Sequence, residues 1–259
     1  MDIREIISIV HSVKDLLLDR EKAGDVTVKG KQDFVTKVDL AVQKRLQRIL
    51  FEKYPDIQFM GEENSDRNYD PSKPIWILDP VDGTTNLIYD YRFSAVSLGL
   101  VENGEAVLGV VYNPYTDETF YAKKGEGAFL NGKPIHVSNA AAMDDSLVAI
   151  GPIPYRKECA DDVFDLLKRV YKDCKDLRRC GTASLDLCYV ACGRHDAFFE
   201  GDLKPWDYAA GCAIITEAGG EVCDWDGKPV CFDKNCDFLA VNGKLKEIFL
   251  PYFTVRFAK

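Results

Sequence analysis

Histidine is scarce in this chain of 259 residues: only His11, His136 and His195 occur, none at zinc-motif spacing. Cys188 and Cys192 fall one helical turn apart, yet no histidine stands in register to complete a site, so no zinc centre is expected. Also missing is any apolar run of the ~20 residues that a membrane span needs. The first twenty residues set Ile3, Ile6, Ile7, Val10, Val13 and Leu17 at helical spacing among Arg4, Glu5, Lys14 and Asp15. That pattern predicts an amphipathic helix rather than a signal peptide, and with it a cytoplasmic protein with no membrane partner. Basic charge is short as well. The 33 Lys and Arg against 42 Asp and Glu give a net charge of -9, which repels polyanions and argues against general nucleic-acid binding. No Gly-x-Gly-x-x-Gly turn follows an early strand, so dinucleotide binding is discounted. The nine cysteines, an odd count without an export signal, read as reduced thiols that mostly fill the core.

What is present suits a packed enzyme-sized body. Hydrophobic residues make up 46% and charged residues 29%, leaving no compositional case for disorder. The length allows one large domain or two lobes sharing an interface. The pattern changes near residue 143, predicting an N-terminal α+β lobe over 1–143 and a C-terminal α/β lobe over 144–259. In the first, the polar stretch Lys22 to Asp33 reads as a turn or weak hairpin, and a helix is expected from about Val38 to Lys53, ending before Pro55. Pro74 to Leu78 reads as a short buried strand. Apolar runs from Ala95 to Ala122, broken at Asn103-Gly104 and Asn113-Pro114, predict antiparallel strands, and Asn131-Gly132 marks another hairpin. Beyond residue 144, Leu147–Ile150, Ala197–Phe199 and Leu239–Val241 look strand-like, whereas Asp161–Tyr171, Ser184–Cys192 and Tyr208–Ala218 look helical.

The chemistry concentrates in Asp79-Pro80-Val81-Asp82-Gly83-Thr84-Thr85-Asn86, where a buried strand runs into two acids, a glycine and two hydroxyls. Gly83 permits close backbone approach, and a helix starting at Thr84 would expose amides of the kind that bind phosphate oxygens. A turn at Asp82-Gly83 with a threonine cap explains any two of these residues. It does not explain two acids at the end of an apolar strand, where an unpaired carboxylate is costly. Two such charges ~4 Å apart repel by roughly 4 kcal/mol at an effective dielectric near 20, a penalty that divalent cations remove. Three further acidic segments accompany it: Asp33-Phe34-Val35-Thr36-Lys37-Val38-Asp39, Gly61-Glu62-Glu63-Asn64 and Trp206-Asp207. Singly, Glu62-Glu63 suits a solvated loop, Asp207 a helix cap and Asp39 an exposed acid at a helix start.

Together and in this order, the four segments resemble the motif set of the inositol monophosphatase family, within the lithium-sensitive, magnesium-dependent phosphatases. The resemblance runs from Asp33 to about Val241 and includes Gly125-Glu126-Gly127-Ala128-Phe129-Leu130-Asn131-Gly132, Gly181-Thr182-Ala183-Ser184 and Glu217-Ala218-Gly219-Gly220. It implies an α/β (mixed α+β) fold, the layered αβαβα sandwich of inositol monophosphatases and fructose bisphosphatases. It also implies a phosphoric monoester hydrolase that uses two Mg²⁺ ions, with a third, weaker ion near Glu62. Carried over, Glu62, Asp79 and the Val81 carbonyl hold one ion, while Asp79, Asp82 and Asp207 hold another. Asp39 and Thr84, with Glu62, form the catalytic set that activates water. Gly83, Thr84 and Thr85 position the phosphate, and Asp82, Gly181, Thr182, Ala183, Glu200 and Asp207 receive the substrate's hydroxyl-rich remainder.

Glu200 favours a polyol such as inositol monophosphate, because a carboxylate accepts from hydroxyls and disfavours a second anion. A fructose 1,6-bisphosphatase or a nucleotide-phosphate phosphatase is the alternative within this chemistry, with Arg178, Arg179 and Lys204 available to a second phosphate. A catalytically weak regulatory or binding protein is the alternative outside it. Lithium inhibition and a homodimer are further expectations from the resemblance. Two positions depart from the family pattern: Arg92 stands where proline is usual, and Leu87 where phenylalanine is usual. They are expected to affect the backbone and packing after the phosphate-binding helix more than the chemistry.

Overall fold

A computed structural model describes residues 1–30, 33–63 and 68–258. Its layering follows from one strand. In Ile75–Asp82 every residue is buried, so alternate side chains must enter two different apolar layers. Ile75 and Ile77 pack with Leu187, Phe198, Ile214 and Phe238. Trp76 and Leu78 face the other way, toward Ile6, Val10, Val42 and Leu46.

This strand belongs to a seven-stranded sheet ordered Gln58–Gly61, Ile75–Asp82, Ala95–Glu102, Glu105–Asn113, Glu118–Lys123, Gly127–Leu130 and Lys133–Pro134. Its first pair is parallel and the next is antiparallel. Helices Ile3–His11 and Lys37–Lys53 cover its outer face. Helices Ala183–Ala191 and Pro205–Glu217 cover the inner face and pack on a five-stranded sheet ordered Asp176–Arg178, Leu147–Gly151, Ala197–Leu203, Cys236–Val241 and Glu221–Asp224. Helix Ala160–Asp173 closes the far side through Val163, Leu167 and Val170 against Phe199 and Leu239. The result is the five-layer αβαβα sandwich that the resemblance implied. Among the described residues, no helix is long and apolar enough to cross a membrane.

Most expected elements occur with small changes at their ends. The expected first helix divides into Ile3–His11, Lys14–Leu17 and Arg20–Ala23. The Ser12 hydroxyl turns back to donate to the Ile9 carbonyl at 2.6 Å, competing with the helix ladder where the break falls. The polar stretch after it contains a hairpin, Val26–Gly30 against Asp33–Thr36; its tip at 31–32 lies outside the described residues, as does Asn64 of the Glu62 motif. The strand expected at Pro74–Leu78 continues to Asp82, through the acids themselves.

The central helix Pro205–Glu217 lies unusually close to the seven-stranded sheet. A Cβ at Gly109 would sit 2.2 Å from the Ala210 carbonyl oxygen, a backbone atom with nowhere to move. Gly109→Ala is therefore expected to destabilise the protein by about 1–3 kcal/mol, as overpacking does. For a chain of this size that is about 2–4 °C in Tm per kcal/mol, read by thermal unfolding. An unchanged Tm would mean that this helix is not seated on the sheet as described.

Candidate functional site

Asp79 and Asp82 are three residues apart, an odd separation that directs side chains to opposite faces of a regular strand. Here Asp79 pairs with Ser97 and Asp82 with Ala95, so three steps on one strand meet two on its neighbour. The extra residue is a bulge, and it returns Asp82 to the side occupied by Asp79. Asp79 accepts the Val81 N–H at 2.9 Å, closing the turn between them. Gly83, at φ 85°, then caps a short helix, Thr84–Ile88; this left-handed conformation is one that side-chain-bearing residues rarely adopt.

The Thr84 hydroxyl lies 3.1 Å from Asp39 Oδ1 and 3.1 Å from the Val81 carbonyl oxygen. Asp39 stands in the first turn of helix Lys37–Lys53, where its Oδ2 accepts from the Thr36 amide at 2.9 Å and from the Thr36 hydroxyl at 2.5 Å. It is fully buried, so the exposed dipole-complementing role does not apply. Burial raises its pKa, against the hydrogen bonds from Thr36 and Thr84, which lower it.

A cavity of about 480 Å³ opens at this strand end, and Glu62, Asp79, Val81, Asp82, Gly83, Thr84, Thr85, Gly181, Ala183, Glu200 and Asp207 all line it. Of the expected site residues, Asp39 and Thr182 stand behind its wall. Asp39 reaches it through Thr84, whereas Thr182 donates to the Phe93 carbonyl at 2.6 Å. Asp82 accepts the Ser184 amide at 2.6 Å, and Asp207 accepts the Lys204 amide at 2.8 Å from the start of its own helix. The acids raise one another. Asp79 is pushed well above the usual carboxylate range, first by burial and then by the charges of Glu62, Asp82 and Asp207. Asp82 is pushed to about 7 by burial and by Asp207. Glu200 rises to about 8, through burial and Asp207, with Arg179 opposing. Hard oxygen donors crowded until they resist ionisation form the donor set that suits Mg²⁺, so these residues fit the ions that the resemblance implied.

Other contributors carry weaker sequence signals. Asn86 Nδ2 donates to the Phe93 carbonyl at 2.8 Å and to the Cys180 carbonyl at 2.9 Å, tying the segment before Gly181 to the Asp79–Thr85 segment. Gly151 lies against Glu200 so closely that a Cβ there would stand 1.9 Å from its carboxyl carbon. Arg179, Lys157 and Lys204 line the cavity, but Arg178 does not; it pairs with Asp176, which removes it from the residues available to a second phosphate. Arg92 takes φ 61°, a value that proline's ring forbids, so the backbone departs here from any chain with proline at this position.

The model of the inositol monophosphatase family matches residues 3–254. Inositol monophosphatase 2 of Solanum lycopersicum is 40% identical over 236 residues, covering 88% of each chain. The protein named Nus factor SuhB in Escherichia coli K12 is 39% identical over 206 residues, 79% of this chain and 77% of that one. The solved structure of the Thermotoga maritima IMPase superposes with a TM-score of 0.85 at 33% identity, covering 96% of this chain and 95% of the other. With the match spanning nearly the whole sequence, the chain belongs to the inositol monophosphatase family.

Proposed function

We propose that the protein is a Mg²⁺-dependent phosphomonoesterase that hydrolyses a small polyol phosphate, with inositol monophosphate first in rank. The observation that carries this reading is the convergence of Glu62, Asp79, Asp82 and Asp207 on one cavity, where three of the acids raise the fourth. In this reading residues 1–143 supply most of the metal ligands, and 144–259 complete the metal and substrate site.

Glu62, Asp79 and the Val81 carbonyl would hold one ion and Asp79, Asp82 and Asp207 a second, and the resemblance implies a weaker third near Glu62. Bound there, Mg²⁺ supplies Lewis-acid polarisation of the phosphate and a lowered pKa for the attacking water. The protein's own part is orientation and proton handling. Thr84, held by Asp39, offers its oxygen to a water molecule and can pass a proton toward the buried carboxylate. The Thr85 hydroxyl and the Gly83 and Thr84 amides hold the phosphate in line. Asp82, Ala183, Glu200 and Asp207 accept from substrate hydroxyls, with Gly181 and Thr182 shaping that wall. A homodimer, a cytoplasmic location and inhibition by Li⁺ belong to the same proposal.

The test is a phosphate-release screen over inositol, sugar and nucleotide phosphates, with and without Mg²⁺. The highest kcat/KM is expected for inositol monophosphate, and no turnover without a divalent ion. A preference for a sugar bisphosphate would instead assign Arg179 and Lys204 to a second phosphate. Glu200→Ala is expected to lower kcat/KM on inositol monophosphate about tenfold, the worth of one or two hydrogen bonds. A simple aryl phosphate without hydroxyls should be hydrolysed as before, and equal losses on both would detach Glu200 from substrate selection. The relatives named Nus factor SuhB favour a second reading, a catalytically weak regulatory protein. A chain of that kind would show at most weak Mg²⁺-dependent release, with no substrate in the screen clearly preferred.

A further inference from the structure

Beside the substrate cavity lies a group of different chemistry. Cys180, Asp186 and His195 bring one thiol, one carboxylate oxygen and one imidazole nitrogen within 4.8 Å of one another. They come from the loop before helix Ala183–Ala191, from its first turn and from the turn after it. Asp186 is 1% exposed and His195 5%. Asp186 Oδ1 and His195 Nδ1 stand 3.8 Å apart, too far for a hydrogen bond, and neither of these two atoms has a hydrogen-bond partner among the described residues. The Cys180 thiol also interacts with the Asp186 carboxyl. Two bare polar atoms facing each other at such depth are an exception to how interiors are built.

One kind of ligand meets all three groups. Sulfur with imidazole nitrogen and carboxylate oxygen is a donor set for Zn²⁺ and its thiophilic neighbours, whereas the all-oxygen cage at Asp79 suits Mg²⁺. Charge also balances. A divalent ion with one thiolate, one carboxylate and one neutral imidazole has no net charge, which a buried position tolerates. Asp186 also lines the substrate cavity, giving an ion a way in. No zinc motif was legible because positions 180, 186 and 195 match no local ligand spacing; folding around one helix brings them together.

We propose that Cys180, Asp186 and His195 form a second cation site, distinct from the carboxylate cage, that takes Zn²⁺ or another thiophilic divalent ion. Binding forms the sulfur–metal and oxygen–metal bonds as two protons leave to solvent, one from the Cys180 thiol and one from the Asp186 carboxyl, both of which burial keeps protonated before the ion binds. The ion would join the segment before Gly181, which Asn86 already holds, to the far end of helix Ala183–Ala191.

The full-length protein is titrated with Co²⁺ in excess Mg²⁺, so that the oxygen cage is filled, and the near-ultraviolet thiolate-to-cobalt charge-transfer band is followed. Zn²⁺ retained after gel filtration is measured in parallel. One equivalent per chain and a saturable band are expected; Cys180→Ser loses the band, and His195→Ala weakens Zn²⁺ binding by ten- to a hundredfold. His195→Ala should keep its Mg²⁺-dependent phosphate release, and Asp79→Asn should lose that release while keeping the band, which separates this site from the phosphatase reading. Absence of the band in the parent, or its persistence in Cys180→Ser, overturns the proposal. Should a variant fail to fold, X-ray absorption on the Zn²⁺-loaded parent decides: a shell with one sulfur supports the site and an all-oxygen shell overturns it.

Discussion

Asp79→Asn is expected to lower Mg²⁺-dependent phosphate release by about 10³-fold or more, equivalent to a barrier increase of about 4 kcal/mol. Asp79 is the acid that both proposed ion positions share, and its pKa is raised by all three of the others. Asparagine keeps the side-chain shape and an oxygen able to accept the Val81 N–H, so the turn should survive while a charge is lost. The same substitution should act oppositely on stability when divalent ions are removed with a chelator. There the parent must hold four acids together without a counter-ion, Asp79 and Asp82 among them buried, and deleting the charge at Asp79 relieves burial cost and repulsion together. The metal-free variant should therefore unfold at a higher temperature than the metal-free parent. Added Mg²⁺ should restore the parent's advantage, since a ligand at a hundred times its Kd stabilises by about 2.7 kcal/mol. A variant that releases phosphate like the parent, with the same Mg²⁺ response, would remove the metal reading altogether.

The difference between those two effects bears on what could be read from the sequence. Asp79, Asp82, Gly83 and Thr84 are legible together because a strand end, a bulge and a cap act within six residues. Glu62, Glu200 and Asp207 were legible only through the family resemblance, since nothing local says that a loop, a strand of the second sheet and a helix start will meet. The five-layer order also came through the resemblance; the pattern alone offered a buried strand at Pro74–Leu78, the hairpin turns and the alternation of strands and helices beyond residue 144. What escaped depends on approach between distant elements. Gly151 reads as an ordinary strand end until Glu200 is laid against it, and Gly109 as a weak strand residue until a helix backbone arrives. Arg178 and Arg179 look equivalent as neighbours, yet one pairs with Asp176 and the other lines the cavity. Ser12 breaks a helix that the hydrophobic spacing carries straight through, because its hydroxyl competes for a carbonyl that periodicity does not register.

Thr84→Val is expected to lower kcat by about 10²–10⁴-fold, the range for loss of a positioned proton-transfer group. Valine is close to isosteric, so helix Thr84–Ile88 and its Gly83 cap should persist, and the carboxylates that would bind Mg²⁺ are untouched. Mg²⁺ affinity and KM should therefore change little, which distinguishes this variant from Asp79→Asn, where metal affinity falls with the rate. Asp39→Asn should give a loss of similar direction through the same hydroxyl. Asp39 does not line the cavity, and its two oxygens are engaged by Thr84 and Thr36. Thr84→Ser keeps the oxygen that bonds Asp39 Oδ1 and should recover most of the rate. Because Thr84 and Asp39 act as one unit, the double variant should be scarcely slower than either single one. If the two losses instead multiply, the hydroxyl and the carboxylate serve separate steps, and the water-activating role passes to another group lining the cavity, with Glu62 first in order.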